Sequence, residues 1–330
     1  MGDRASERWD SSRNGSRHPK SGGGKRDTGV WGAEVKLAVI ALGGVRRARM
    51  MALVMIVLFS LLITSVAAFA TDHRWTSLSD GLSITLWEPK DNCQHDVAPA
   101  VLVKVDPAQF RFATFSFRSE GLTQPPTIIE WRERTGAAVV FNAGQFLADY
   151  SYMGLLLKDG RSIGGKRHPN WHGLFVAEPV MQGLKRAGIL DLAMDAFSED
   201  RPVYLEAAQS LMLLDRQGKP RVRRSGKQAQ QTVVAELRDG SILLVKTTAE
   251  SALWELAECL KVGVPDVSQA LAFDGGSSSD ILIATQTLKG FKGLLDAAPW
   301  AALVDGGGQR HVPLPSVMGL FPRKPSERTK

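Results

Sequence analysis

Two short segments carry residue types in an order that suits chemistry. Val139-Val140-Phe141-Asn142-Ala143-Gly144 and Leu271-Ala272-Phe273-Asp274-Gly275-Gly276 each run from an apolar strand to Phe, then an amide or carboxylate, then small residues ending in Gly. A polar group at the end of a buried strand is held rigidly by its sheet. A glycine beyond it lets the backbone approach a ligand closely, and open N–H groups in such a turn cradle an anion such as phosphate. Asn, Asp and Gly also favour ordinary strand-end turns, so the pattern alone reads equally well as two turns.

Other chemistries lack their residues. There is no Walker loop and no dinucleotide-binding glycine fingerprint. His168-Pro169-Asn170-Trp171-His172 spaces two His four apart, but no Glu follows the first, and Pro169 spoils a helix turn. It reads as a polar loop. Gly275-Gly276-Ser277-Ser278-Ser279 lacks the second glycine of a nucleophile elbow. Two cysteines exclude a disulfide framework and a thiolate zinc site. Cys259 falls in the apolar pattern Leu253, Leu256, Ala257, Leu260 and reads as a small buried hydrophobe; a bond to Cys93 in an oxidising compartment stays open.

The elements that must position these residues are mostly strands. Runs at 83–87, 100–105, 110–117, 137–141, 154–157, 173–176, 210–214, 233–237, 242–246, 270–273 and 280–284 are strand-like. Asp159-Gly160 and Arg238-Asp239-Gly240-Ser241 mark hairpin turns. Helices are predicted over 126–134 and 250–262, the second stopping at Gly263, with 184–197 as a candidate third. The expected fold is α/β (mixed α+β): a large mixed β-sheet with helical cover. No linker divides 71–322, the basic stretch 216–231 reads as a solvated loop, and 323–330 is a basic tail.

Charge separates the leader from the body. Of 41 Lys and Arg and 34 Asp and Glu, residues 1–70 hold 11 and 5, leaving 30 and 29 for 71–330. The body is near neutral, which argues against nucleic acid as a partner. Residues 1–49 read as a disordered basic extension. Residues 50–70 follow Arg46-Arg47-Ala48-Arg49, are uncharged, and end Ala68-Phe69-Ala70. They read as a signal peptide cleaved after Ala70, or else as an uncleaved membrane anchor, the Ala-x-Ala end favouring cleavage. The true start would then lie near Met50 or Met51, and membrane contact would arise only through 50–71. The expected location is exported, periplasmic or extracellular.

Thr232–Ser278 resembles the phosphodiester glycosidase domain family, and other motifs follow in order. Asn142-Ala143-Gly144-Gln145-Phe146, Lys158-Asp159-Gly160, His172-Gly173-Leu174-Phe175, Ala208-Gln209-Ser210 and Leu237–Val245 are similar to family segments. Phe273-Asp274-Gly275-Gly276-Ser277-Ser278 is the most specific, and Val312–Gly319 resembles the closing strand. Three positions depart from the family pattern. Gln231 stands where the family usually has Arg, Ser277 where it has a third Gly, and His172 where it has Asn. Arg223, Arg224 or Lys227 could supply the missing charge.

The resemblance implies hydrolysis of a sugar-1-phosphodiester, with a carbohydrate or sugar-phosphate as partner. Asp274 would be base, nucleophile or hydroxyl ligand, and Asn142 would bond sugar or phosphate. Gly144, His172 and Gln209 would line the pocket, and Gly275, Gly276, Ser277 and Ser278 would offer N–H and OH donors. Asp149, Glu178 and Glu206 stand equal as a second carboxylate. No cofactor is required by the sequence, and a divalent metal stays open. The competing expectation is a non-catalytic envelope protein that binds an extracellular polysaccharide or assists its assembly.

Overall fold

The computed structural model describes residues 73–91, 93–287, 303–304 and 310–328. Residues 69–330 group as one compact unit. The expected extension (1–49) and the signal peptide or anchor (50–70) lie outside the described residues. Among those described, no helix is long and apolar enough to cross a membrane.

Among the described residues seventeen strands follow one another: β1 (Thr76–Ser79), β2 (Leu82–Trp87), β3 (Ala100–Val105), β4 (Phe110–Ser116), β5 (Val139–Asn142), β6 (Leu156–Lys158), β7 (Arg161–Ser162), β8 (Gly173–Pro179), β9 (Ala187–Asp191), β10 (Tyr204–Leu214), β11 (Gln228–Ala229), β12 (Thr232–Leu237), β13 (Ile242–Thr247), β14 (Ser251–Ala252), β15 (Val267–Ala272), β16 (Ile281–Ile283) and β17 (Ser316–Pro322). Among the described residues three α-helices join them: α1 (Ile128–Thr135), α2 (Leu253–Gly263) and the short α3 (Pro325–Arg328). Eleven strands form one sheet, ordered β1-β2-β3-β13-β12-β15-β10-β6-β7, with β8 pairing β10 and β9. A second sheet runs β16-β5-β17-β4, and β11 pairs β14.

The layers follow from which side chains alternate. On β13, Leu243 and Val245 face one way, with Leu256 and Leu260 of α2. Ile242 and Leu244 face the other way, with Phe141, Ile281 and Met318 of the small sheet. That sheet in turn covers its outer face with Ile128 and Trp131 of α1. The result is helix, large sheet, small sheet, helix. The phase change inside 110–117 has the same cause: Phe110 and Phe112 face the inter-sheet core, while Phe115 and Phe117 face α1.

Local rules set the turns and caps. Asp159 and Gly160 both have positive φ, 50° and 74°, as a tight turn between β6 and β7 requires. Thr127 caps α1: its hydroxyl accepts from the Glu130 N–H, and the Glu130 carboxylate accepts from the Thr127 N–H at 2.7 Å.

One expectation needs correction. Residues 184–197 form no helix; they contain β9, a strand that pairs β8, followed by turns. The second helix ends at Gly263 as expected, and a Cβ there would lie 2.6 Å from the Trp87 indole nitrogen, which calls for glycine. Arg323, the first residue of the basic tail, is 8% exposed and grips both Glu178 carboxylate oxygens at 2.6 and 2.8 Å.

Cys93 and Cys259 form a disulfide with 5.2 Å between Cα atoms. It ties the segment after β2 to the middle of α2 across 166 residues of chain. A cross-link over so long a loop restricts the unfolded chain strongly. The Cys93→Ser, Cys259→Ala variant should lose about 2–5 kcal/mol of stability in guanidinium unfolding, and reductant should lower the wild type toward it.

Candidate functional site

The two segments singled out by residue type meet. β5 ends at Asn142, and Asp274 lies two residues past the end of β15, so each polar residue sits where a different sheet ends. Phe141 and Phe273 stack between the sheets, centroids 6.2 Å apart. The Asn142 amide donates to the Asp274 carbonyl at 2.8 Å and to the Ala143 carbonyl at 3.2 Å. Its oxygen accepts from the Thr232 hydroxyl at 2.8 Å and the Asp280 N–H at 3.0 Å. The Asp274 N–H donates back to Ala143 at 3.2 Å. Asn142 is 1% exposed and its hydrogen-bonding capacity is fully used inside the protein. One of these bonds ties it to the Asp274 backbone.

Asp274 opens on a cavity of about 670 Å³. Burial pushes its carboxyl up to about 6, against the opposing pull of the Ser278 hydroxyl, the Gly275 N–H and the Lys227 charge. Burial disfavours a carboxylate, while donors and a cation favour it. The balance leaves a group that changes charge in mildly acidic solution.

The expected anion cradle is occupied by the protein itself. The Gly275 N–H turns to the Asp274 carboxylate, and the Gly276 N–H donates to the Gln230 carbonyl at 2.8 Å. Ser278 is buried against Asp274, and Ser277 is exposed. Both glycines still line the cavity, but these two N–H groups are already engaged.

Gln209 does not line the cavity either. It is fully buried, and its amide spans Leu155, His168 and Trp171: it accepts from the Leu155 and His168 N–H groups and donates to the His168 and Trp171 carbonyls. It thereby fixes the loop 164–172. His172 lies off the wall, its carbonyl holding the Leu192 N–H at 2.7 Å; Asn170 of the same loop is on the wall. Gly144 is a close-approach residue. A Cβ there would stand 2.4 Å from the Tyr152 hydroxyl and 2.9 Å from the Gln209 carbonyl, and its N–H donates to that hydroxyl.

Part of the cavity wall comes from the stretch read as a solvated loop. Arg223 and Lys227 line the cavity, and neither forms an ion pair among the described residues. Arg224 instead stacks its guanidinium 4.5 Å from the Trp254 ring of α2, and Gln228–Ala229 pair with Ser251–Ala252. The loop is thus a strap fastened to α2. Gln231, at the position of the family's Arg, also lines the cavity, but its amide nitrogen is committed to the Ala229 and Ser251 carbonyls.

A second carboxylate on the wall is Glu250, which the residue pattern did not mark because it stands alone between β13 and β14. Asp149 is exposed and holds Ser151. Glu178 pairs with Arg323. Glu206 is buried, accepting from the Thr114 and Asp159 N–H groups at 2.7 and 3.1 Å. None of these three lines the cavity with Asp274. Among the described residues, no three His, Cys, Asp or Glu side chains group as metal ligands would.

A solved structure shares this fold. The catalytic domain of zebrafish N-acetylglucosamine-1-phosphodiester alpha-N-acetylglucosaminidase, auto-inhibited by its pro-peptide, aligns with a TM-score of 0.51 at 14% identity, covering 75% of this chain and 86% of that one. A hypothetical protein from Synechocystis aligns at 0.49 and 13% identity, covering 78% and 65%. At such identities the likeness concerns the fold. No curated protein sequence matches this chain. The family rests on sequence: the phosphodiester glycosidase model matches residues 135–313, more than half of the chain, and the chain belongs to that family.

Glu206 gives a pH test of the scaffold. Burial pushes its carboxyl up to about 7 from an ordinary 4.5. The folded state therefore holds its proton more tightly than the unfolded state does. This contribution is full below about 4.5 and is lost as pH rises through about 7. Denaturation of the wild type should show stability falling across that window, and Glu206→Gln should flatten the fall.

Proposed function

We propose that this chain hydrolyses a sugar-1-phosphodiester, with Asp274 as the general base that activates water. The observation that carries the reading is the Asp274 carboxyl, held at the end of a buried strand, with raised proton affinity, on a cavity shared with Arg223 and Lys227. In the reaction the bond between the sugar's anomeric carbon and the phosphate oxygen breaks, and the oxygen keeps the electron pair. Water adds its oxygen to the anomeric carbon and gives a proton to Asp274. The phosphate departs as a stable anion, so protonation of the leaving group matters little.

The two cations take over the charge that Gln231 does not supply. Arginine suits phosphate through its planar fork, and lysine acts as a point charge. Glu250 serves as the second carboxylate, stabilising the positive charge that develops on the sugar ring. Asn142, Gln209 and Gly144 act as positioning residues. The Cys93–Cys259 bond and the leader 50–70 support an exported protein, with a role in envelope or exopolysaccharide metabolism.

Asp274→Asn should abolish turnover of a panel of sugar-1-phosphodiesters while leaving the unfolding transition in place; full turnover would remove Asp274 from the chemistry. Because Asp274 works ionised, kcat/KM should rise with pH through about 6 and then level. Removing the nearby cation in Lys227→Ala should move that limb to higher pH. Arg223→Ala and Lys227→Ala should each raise KM by about tenfold, the loss of a charge-assisted contact. A folded protein with no turnover on any diester, with or without divalent metals, would favour the glycan-binding reading that the loss of the family's Arg suggests.

A further inference from the structure

The cavity lining is mixed. Asp274, Gly275, Gly276 and Gln231 are polar or small, while Leu211, Val222 and Leu253 add half-buried aliphatic residues. These three pack against one and the same core cluster, the one beneath α2. They are not scattered. Val222 directly precedes Arg223 on the strap, and Leu253 directly follows β14, which pairs with the strap just beyond Lys227. The aliphatic wall therefore adjoins the two cations at both ends of the strap. A phosphate held by Arg223 and Lys227 would lay its second ester substituent along Val222 and Leu253.

From this we infer that the substrate is an amphiphilic diester, in which the phosphate joins the sugar to an alcohol bearing an alkyl chain. The inference rests on the hydrolase reading above and names the leaving side of the same site. A second sugar in that position would call for exposed aromatic rings, on which the C–H faces of a pyranose lie. The cavity does not provide them among the described residues: its ring, Phe273, is 2% exposed, and the nearby Trp254 is covered by Arg224. Aliphatic side chains with no polar partner instead gain from covering hydrocarbon, about 0.8 kcal/mol per buried methylene in transfer terms, so two methylenes already give more than tenfold. Hydrolysis would release the free sugar and an alkyl phosphate.

The test uses the full chain and a panel of hexosyl and N-acetylhexosaminyl 1-phosphodiesters, each made as a methyl and an octyl ester. KM for the octyl member of an active pair should be about tenfold lower or more. Leu253→Asn should narrow that ratio toward one, and Val222→Asn, on the exposed strap, should do the same without touching a helix. Equal KM for both esters, or a preference that survives both variants, would overturn the inference and leave the hydrolase reading intact. If no diester turns over, the hydrolase reading fails. Calorimetry with octyl phosphate against methyl phosphate, below the micelle concentration, then decides the apolar wall by itself. Tighter octyl binding lost in the variants supports it, and equal binding refutes it.

Discussion

A buried amide holds this structure together at the point where it matters chemically. Asn142 belongs to the small sheet, and its partners Thr232 and Asp274 belong to, or follow, strands of the large one. Two sheets stacked by hydrophobic contact alone can slide, since apolar packing is non-directional. Two of the four hydrogen bonds of this planar amide, to the Asp274 carbonyl and from the Thr232 hydroxyl, cross between the sheets and restrict that freedom at the strand ends. The Phe141–Phe273 stack next door supplies the apolar half of the same junction. Unsatisfied, so buried an amide would cost about 1–3 kcal/mol per group, which makes the arrangement all or nothing.

From that junction outward, the site divides into rigid and attached parts. Asp274 is fixed by backbone bonds on both sides and tuned by Ser278 and Gly275. The loop 164–172 is fixed by Gln209, whose amide makes three hydrogen bonds to it and a fourth to the Leu155 N–H. The strap, by contrast, is fastened to α2 by the Arg224 stack and a two-residue ladder. Charge is thus delivered to the cavity by an exposed segment, while the carboxylate is delivered by the core. That division suits a site whose chemistry needs a fixed base and whose recognition depends on an adaptable wall.

The polar residues marked by motif divide in the same way. Asn142, Gln209 and Gly144 look like ligand contacts when read along the chain, since an amide or a glycine beside a strand end suits that task. In three dimensions each meets the protein instead. The same residue types that recognise a ligand also satisfy buried backbone groups, and sequence spacing does not distinguish the two. The Gly275 and Gly276 N–H groups repeat the lesson: a turn able to cradle an anion has turned them inward.

Much of the fold was legible in order. Alternation marked most of the long strands, Asp-Gly pairs marked the hairpins, and the periodic apolar stripe marked α2, because these signals are local and follow from backbone geometry. Residues 184–197 misled because a strand buried on one face and followed by turns leaves apolar spacings that also fit a helix. Asp274 was legible because a carboxylate after an apolar strand and before two glycines is a local pattern. Arg223 and Lys227 were legible only as two of three candidate cations, and the fold separates them from Arg224, which lies on Trp254; Glu250 was not legible, since it lines the cavity only through the packing of the segment between β13 and β14. Residue types and their order thus determined the elements, the family and the position of the central carboxylate. Only the packing of two sheets and a strap decided which polar groups face the cavity, because burial and hydrogen-bond partners are properties of neighbours far apart in the chain.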